Sequence, residues 1–244
     1  QPHSCGMYKN NLVFAAACIS LFLFGITLIT LGSILPEVTK QFGLDGLNTG
    51  SLVSVLPAGI LTGSLVFGPV VDRYGYKLVL IISILISAIS LEGLAYTQSL
   101  TILFVCVYFI GFGGGIINGG TSALVSDISG DNKGAKLSLL GVFFGLGALG
   151  MPLLLGVLSR RFEYTSILAA VGLFMFLPAI WILFIRFPLP KQAQGFPLKE
   201  GVKLLKEPAI LLTGFFLFFQ SGVEGLVNNW TTTFLQEELK TSRE

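Results

Sequence analysis

Three polar side chains interrupt an otherwise apolar run near the end of the sequence: Gln220, Glu224 and Asn228. Their spacing of four residues puts all three near one face of a helix. A carboxyl group enclosed in a low-dielectric cavity binds a proton more readily than one in water. Glu224 is therefore the candidate to take a proton from one side of a membrane and release it to the other. The amides of Gln220, Asn228 and the adjoining Asn229 can hydrogen-bond the hydroxyls of a sugar, and Trp230 can stack against its ring. The alternative is a structural network that satisfies Glu224 against a neighbouring helix.

Other polar residues fall inside apolar runs, where each costs a few kcal/mol by insertion scales (about 3 for an acid at mid-depth) and so needs a reason. Asn118 offers donors and acceptors suited to a neutral polyol, with hydrogen bonding between helices as the plainer role. Thr27, Thr30 and Ser33 form an i, i+3, i+6 stripe that could line a cavity, Thr30 centrally, or could bond back to their own helix. Glu92 is a second, minor proton-site candidate nearer the outer surface. Hydrolytic chemistry has no support, since the only histidine is His3 and no apolar run carries a paired-Asp or Ser-His arrangement. No cofactor or metal is expected, and Cys5, Cys18 and Cys106 lack metal or redox spacing.

The elements that must position these groups are membrane helices. The chain is 53% hydrophobic and only 11% charged over 244 residues, which excludes an ordinary soluble globule. Its net charge of +2 is too small and dispersed for a nucleic-acid partner. Seven stretches can cross a bilayer core of about 30 Å, near residues 11–35, 47–71, 78–97, 100–126, 135–158, 164–187 and 208–235. Pro36 is expected to end the first, and residues 43–46 supply turn chemistry before the second. The organisation follows: a tail at 1–10, a six-helix bundle at 11–187, a linker at 188–207, a seventh helix at 208–235 and a remainder at 236–244. The linker is basic, with Lys191, Lys199, Lys203 and Lys206. With the amino terminus in the cytoplasm, ten of the 15 basic residues fall inside and five outside, in keeping with the positive-inside rule.

Between the second and third runs lies a charged hairpin, Gly68-Pro69-Val70-Val71-Asp72-Arg73-Tyr74-Gly75-Tyr76-Lys77. Gly68 is expected to let two helices approach, Asp72 and the bases mark the membrane surface, and Gly75 permits the positive φ of a tight reversal. Gly68, Asp72, Arg73, Gly75 and Lys77 occupy, in order, the places of the loop between helices two and three of the major facilitator superfamily, which the chain resembles. The resemblance implies an all-α membrane protein: a six-helix bundle of two inverted three-helix repeats, followed by the first helix of a second bundle, with five further helices after Glu244. It also implies gating by the five hairpin residues. The stretch 215–230, with Gly222-Val223-Glu224, and the stretch 144–149 are similar to the fucose-proton symporter and proton-coupled glucose transporter branch. That branch commonly carries a glutamate where this chain has Asn118.

The expected function is a secondary transporter of the inner membrane that moves a neutral sugar with protons by alternating access. A drug or metabolite antiporter of the same fold is one alternative, and a non-transporting half or membrane scaffold is another. An internal repeat supports the fold: an offset of 88 lays Phe24-Gly25 on Phe112-Gly113, Gly59 on Gly147, Gly68 on Gly156, Arg73 on Arg161 and Tyr76 on Tyr164. The glycines of the fourth and fifth runs are read as close-packing positions rather than a phosphate cradle.

Overall fold

The computed structural model describes residues 9–190 and 206–237. The tail at 1–8, the linker segment 191–205 and residues 238–244 lie outside the described residues. Helix α1 spans Asn10–Phe42, α2 Gly46–Tyr96, α3 Leu100–Ile128, α4 Lys133–Leu158, α5 Tyr164–Leu183 and α6 Pro208–Glu237. All six are long and apolar enough to cross a membrane.

Local chemistry explains where the helices stop. Gly43 adopts φ 59° and ψ 39°, and its N–H returns to the Thr39 carbonyl, which ends α1 in a left-handed cap. Asp45 then caps α2, its side chain accepting from the Asn48 N–H at 2.8 Å. Pro36 does not end α1, contrary to expectation; the helix continues through it to Phe42. A proline forfeits one N–H and crowds the preceding turn, and tight packing of α1, where Leu35 and Val38 are buried, offsets that cost.

Helix α2, 51 residues long, is continuous only in its hydrogen bonding. At Gly75 the backbone takes φ 80° and ψ 159°, a conformation closed to side-chain-bearing residues, and the chain reverses there. The first limb, 46–74, runs alongside α3 in the same direction: Leu56 meets Gly111, Ile60 meets Gly115 and Phe67 meets Gly119. The second limb, 76–96, returns antiparallel, with Leu80 at Gly120, Ser87 at Gly113 and Cys106 at Gly93. Two of the seven expected spans are therefore these two limbs.

Glycine decides how closely the bundle packs. A Cβ on Gly59 would collide with the Tyr108 carbonyl, and one on Gly111 with the Leu56 carbonyl, so the two helices clasp backbone to backbone. The same clasp joins α1 to α4: a Cβ on Gly25 would strike the Phe144 carbonyl, and one on Gly147 the Phe22 carbonyl. These two clasps are copies. An offset of 88 carries Leu56, Gly59 and Ile60 onto Phe144, Gly147 and Ala148, while an offset of 86 carries Phe22, Gly25 and Ile26 onto Tyr108, Gly111 and Phe112. The single offset of 88 read from the sequence therefore holds for the second helix of each unit and not for the first, where Gly25 corresponds to Gly111 rather than Gly113. The connection between first and second helices is longer in the second unit, where a 3-10 turn at Gly130–Asn132 intervenes.

The clasps also differ in length. The pair of α3 and the first limb of α2 has a second rung, Gly63 against Phe112 and Gly115 against Ile60. The corresponding positions of the other pair are Met151 and Ile29, both buried, so side chains stand there in place of a second glycine rung. The core runs along α1, where the Phe24 ring sits against Gly114 and 5.5 Å from the Phe144 ring. Cys18 and Cys106 are free and buried, packed as small apolar groups. Helix α6 lies against α1 and leaves most of its surface exposed.

Candidate functional site

Two hydrogen bonds tether the start of the second limb, just past the turn of the hairpin. Lys77 donates from Nζ to the Leu183 carbonyl at 2.6 Å, satisfying an orphan acceptor at the end of α5 and complementing the negative end of its dipole. The Tyr76 hydroxyl donates to Asp127 Oδ2 at 2.8 Å, tying the second limb of α2 to the end of α3. Arg73 is exposed and its guanidinium lies 5.4 Å from the centre of the Tyr74 ring. Asp72, beside it, is partly buried. A Cβ on Gly68 would meet nothing within 4 Å, so the helix approach expected there is made instead at Gly59 and Gly63.

The membrane-embedded candidates occupy four separate places. Thr30 is 1% exposed and its hydroxyl donates to the Ile26 carbonyl at 2.7 Å. Thr27 donates likewise to Phe24, and Ser33 to Ile29. Back-bonding of this kind satisfies hydroxyls in an apolar helix. Asn118 is exposed on α3. Gln220, Glu224 and Trp230 are exposed on α6, while the side chains of Asn228 and Asn229 lie outside the described residues. Among the described residues no hydrogen bond joins Asn118 to Gln220 or Glu224.

Glu92 sits between the second limb of α2 and α5. A Cβ on Gly172 would come within 2.5 Å of its Oε1, so glycine makes the room the carboxyl occupies. That oxygen is buried and has no hydrogen-bond partner among the described residues. The glutamate is thus held at the contact of two helices, apart from Asn118 and from α6.

Three polar pairs escaped the reading of the sequence. Tyr108 and Thr62 pair their hydroxyls at 2.9 Å across α3 and the first limb of α2, beside the rings of Phe109 and Phe112. Asp127, the acceptor of the Tyr76 hydroxyl, and Gln41, the acceptor of the Tyr164 hydroxyl, lie 51 and 123 residues from their donors in sequence, and a repeat offset is the signal that could have brought them forward.

A family model described as the Major Facilitator Superfamily matches residues 17–242. The 4-hydroxybenzoate transporter PcaK of Pseudomonas aeruginosa is 27% identical over 188 residues, covering 77% of this chain and 41% of the relative. The multi-drug resistance efflux pump PmrA of Streptococcus pneumoniae is 26% identical over 219 residues, covering 87% of this chain and 54% of the pump. The chain therefore spans about half the length of the curated relatives it matches. Among solved structures, a bacterial homologue of the human lysosomal transporter Spinster aligns with a TM-score of 0.76 at 12% identity, over 96% of this chain and 57% of that one. The nucleoside transporter NupG aligns at 0.74 and 17% identity, over 95% of this chain and 59% of its own. With the glycine-clasped repeats, the reversal at Gly75 and the family match agreeing over most of its length, the chain belongs to the major facilitator superfamily.

Proposed function

We propose that the chain serves secondary active transport by alternating access, carrying a small neutral hydroxylated solute, a sugar, together with a proton across the inner membrane. The observation that carries this reading is Glu224, the one ionisable group in residues 208–236. A lone carboxyl in such a run costs free energy unless it binds a proton or a partner, and alternation between two aqueous faces lets it do both in turn. Gln220 and Asn228, one turn to either side, supply donors and acceptors for hydroxyls; Asn229, Trp230 and Asn118 complete the proposed solute set, Thr30 serves only as packing behind it, and Glu92 is a second proton site. The hairpin residues Gly68, Asp72, Arg73, Gly75 and Lys77 close the cytoplasmic face against the bundle that residues 208–235 begin, with the amino terminus on the same face.

A second reading, movement of an aromatic solute by the same fold, is favoured by one observation. Tyr108, Phe109 and Phe112 form a contiguous aromatic cluster with a paired hydroxyl, Thr62 to Tyr108, at its edge. An aromatic-acid transporter and a drug efflux pump are also among the relatives. Counterflow in proteoliposomes decides between them: hexoses and methylpentoses exchange under the first, and 4-hydroxybenzoate or planar cationic drugs under the second. Exchange of aromatic solutes with none of any sugar would overturn the first.

A further inference from the structure

We infer that Ser64 and Ser122, with Asn118 and the ring of Phe67, form a contact subsite that accepts a neutral hydroxylated solute and refuses an anionic aromatic one, an assignment that rests on the sugar-transport reading above. Spare hydrogen-bonding capacity singles these residues out. Many hydroxyls in the spanning helices bond back to their own backbone: Ser51 to Leu47, Ser54 to Gly50, Ser83 to Val79 and Thr121 to Ile117. Ser64 and Ser122 are partly buried and, among the described residues, make no such bond. The side-chain amide of Asn118 is equally uncommitted, since only its main-chain carbonyl accepts, from Thr121 at 3.3 Å. Ser87 also lacks a partner among the described residues, but it is fully buried against Gly113, out of reach of any solute.

The three polar groups share one edge of the clasp between the first limb of α2 and α3. The paired hydroxyls of Thr62 and Tyr108 mark the other edge. At about 100° per residue, Ser64 is turned about 160° from Thr62, across its helix. Asn118 and Ser122 are turned about 80° and 40° from Tyr108, in the sense that carries them toward the edge of Ser64. The groups are also level with one another. A Cβ on Gly115, three residues before Asn118, would lie 3.0 Å from the Ser64 nitrogen. A Cβ on Gly119, the next residue after Asn118, would lie 2.6 Å from the Phe67 ring, so glycine lets that ring rest against α3.

This set suits a sugar. An amide and two hydroxyls offer donors and acceptors together, and an aromatic face packs against the C–H side of a sugar ring. The set is also uncharged. Residues 46–71 and 100–126 contain no Asp, Glu, Lys, Arg or His, and the first charged residues past their inner ends, Asp72 and Asp127, are both acidic. A carboxylate entering here would lose its hydration with no cation to replace it, whereas a neutral hydroxyl exchanges water for amide and hydroxyl partners.

Cysteine labelling and counterflow with the full-length protein in proteoliposomes test this, in a Cys5→Ser background. Ser64→Cys and Ser122→Cys are expected to react with a water-soluble maleimide, admitted to both faces by freeze–thaw, at least about tenfold faster than the buried native Cys18 and Cys106. A hexose or methylpentose is expected to slow both reactions, and 4-hydroxybenzoate to leave them unchanged. Ser64→Ala and Ser122→Ala are each expected to raise KM for sugar counterflow about threefold to tenfold with kcat little changed, as loss of one hydrogen bond to the solute requires. Ser54→Ala, whose hydroxyl is committed to Gly50, is the control that leaves KM unchanged. Cysteines as unreactive as Cys18, or KM unchanged in both folded alanine variants, would overturn the subsite. Protection by 4-hydroxybenzoate and not by sugar would overturn its assignment to neutral solutes. Sugar exchange by the parent with neither cysteine protected overturns the subsite and leaves the transport reading standing. Protection by sugar without exchange of any solute does the opposite, and neither protection nor exchange overturns both.

Discussion

Substituting alanine at Gly59 tests whether backbone contact holds the bundle together. The added Cβ would meet the Tyr108 carbonyl well inside contact distance, with the Phe112 nitrogen at 2.9 Å and Gly111 Cα at 3.1 Å. All three are main-chain atoms of α3, so no side chain can swing away. Recovering ordinary contact requires the helices to part by about 1 Å, and a gap of that size forfeits roughly a quarter to a half of each dispersion contact along the interface. Overpacking of this kind costs about 1–3 kcal/mol, a fall of roughly 2–10 °C in unfolding midpoint for a chain of this size. Gly141→Ala is the matched control, because a Cβ there meets nothing within 4 Å. Relief of glycine's entropic cost in a helix should leave that variant level with the parent or up to about 1 kcal/mol more stable. Thermal unfolding in detergent, followed by size-exclusion chromatography, compares the two. A Gly59→Ala protein as stable as the parent, or a Gly141→Ala protein that loses as much, would refute the clasp.

Further substitutions have definite expected outcomes. Thr30→Val should change transport by less than about twofold, because its hydroxyl is committed to Ile26, whereas Asn118→Ala should raise KM about tenfold or more; counterflow kinetics measure both. Lys77→Met should lower thermal stability by about 1 kcal/mol through loss of the Leu183 contact. Gly172→Ala should destabilise by pressing on the Glu92 carboxyl, and Glu92→Ala in the same chain should relieve it; a double-mutant cycle with no coupling would show that the two do not touch in the folded protein. Glu92→Gln should retain parental stability, since the buried Oε1 has no described partner to lose.

The spans and the reversal were legible in the sequence because each follows from one local rule. Apolar length gives a membrane helix, and a glycine followed by a tyrosine and a lysine between two such runs gives a turn at Gly75. Pro36 was misread because the rule that proline ends helices comes from helices that water can unravel; within a packed bundle the chain carries on to Gly43. The glycines announced close packing but not their partners, since Gly111 and Gly113 look alike in sequence and only the fold shows that one faces Leu56 and the other Ser87. The offset of 88 found the second and third helices of the repeat and was two residues out for the first, because the connections differ in length. For that reason Asp127 and Gln41 passed unnoticed while their tyrosines were paired. The candidate solute and proton residues were picked out by polarity alone, and the fold sets Thr30, Asn118, Glu92 and Glu224 on separate elements.

Glu224 is proposed to carry a proton across with the solute. Vesicles containing the full-length protein, with internal pH followed as hexoses, methylpentoses, 4-hydroxybenzoate and cationic drugs are added singly, test it against Glu224→Gln. In the parent, addition of a sugar is expected to acidify the vesicle interior, and this proton movement is expected to disappear in the variant while sugar counterflow persists. Proton movement undiminished in Glu224→Gln would contradict it.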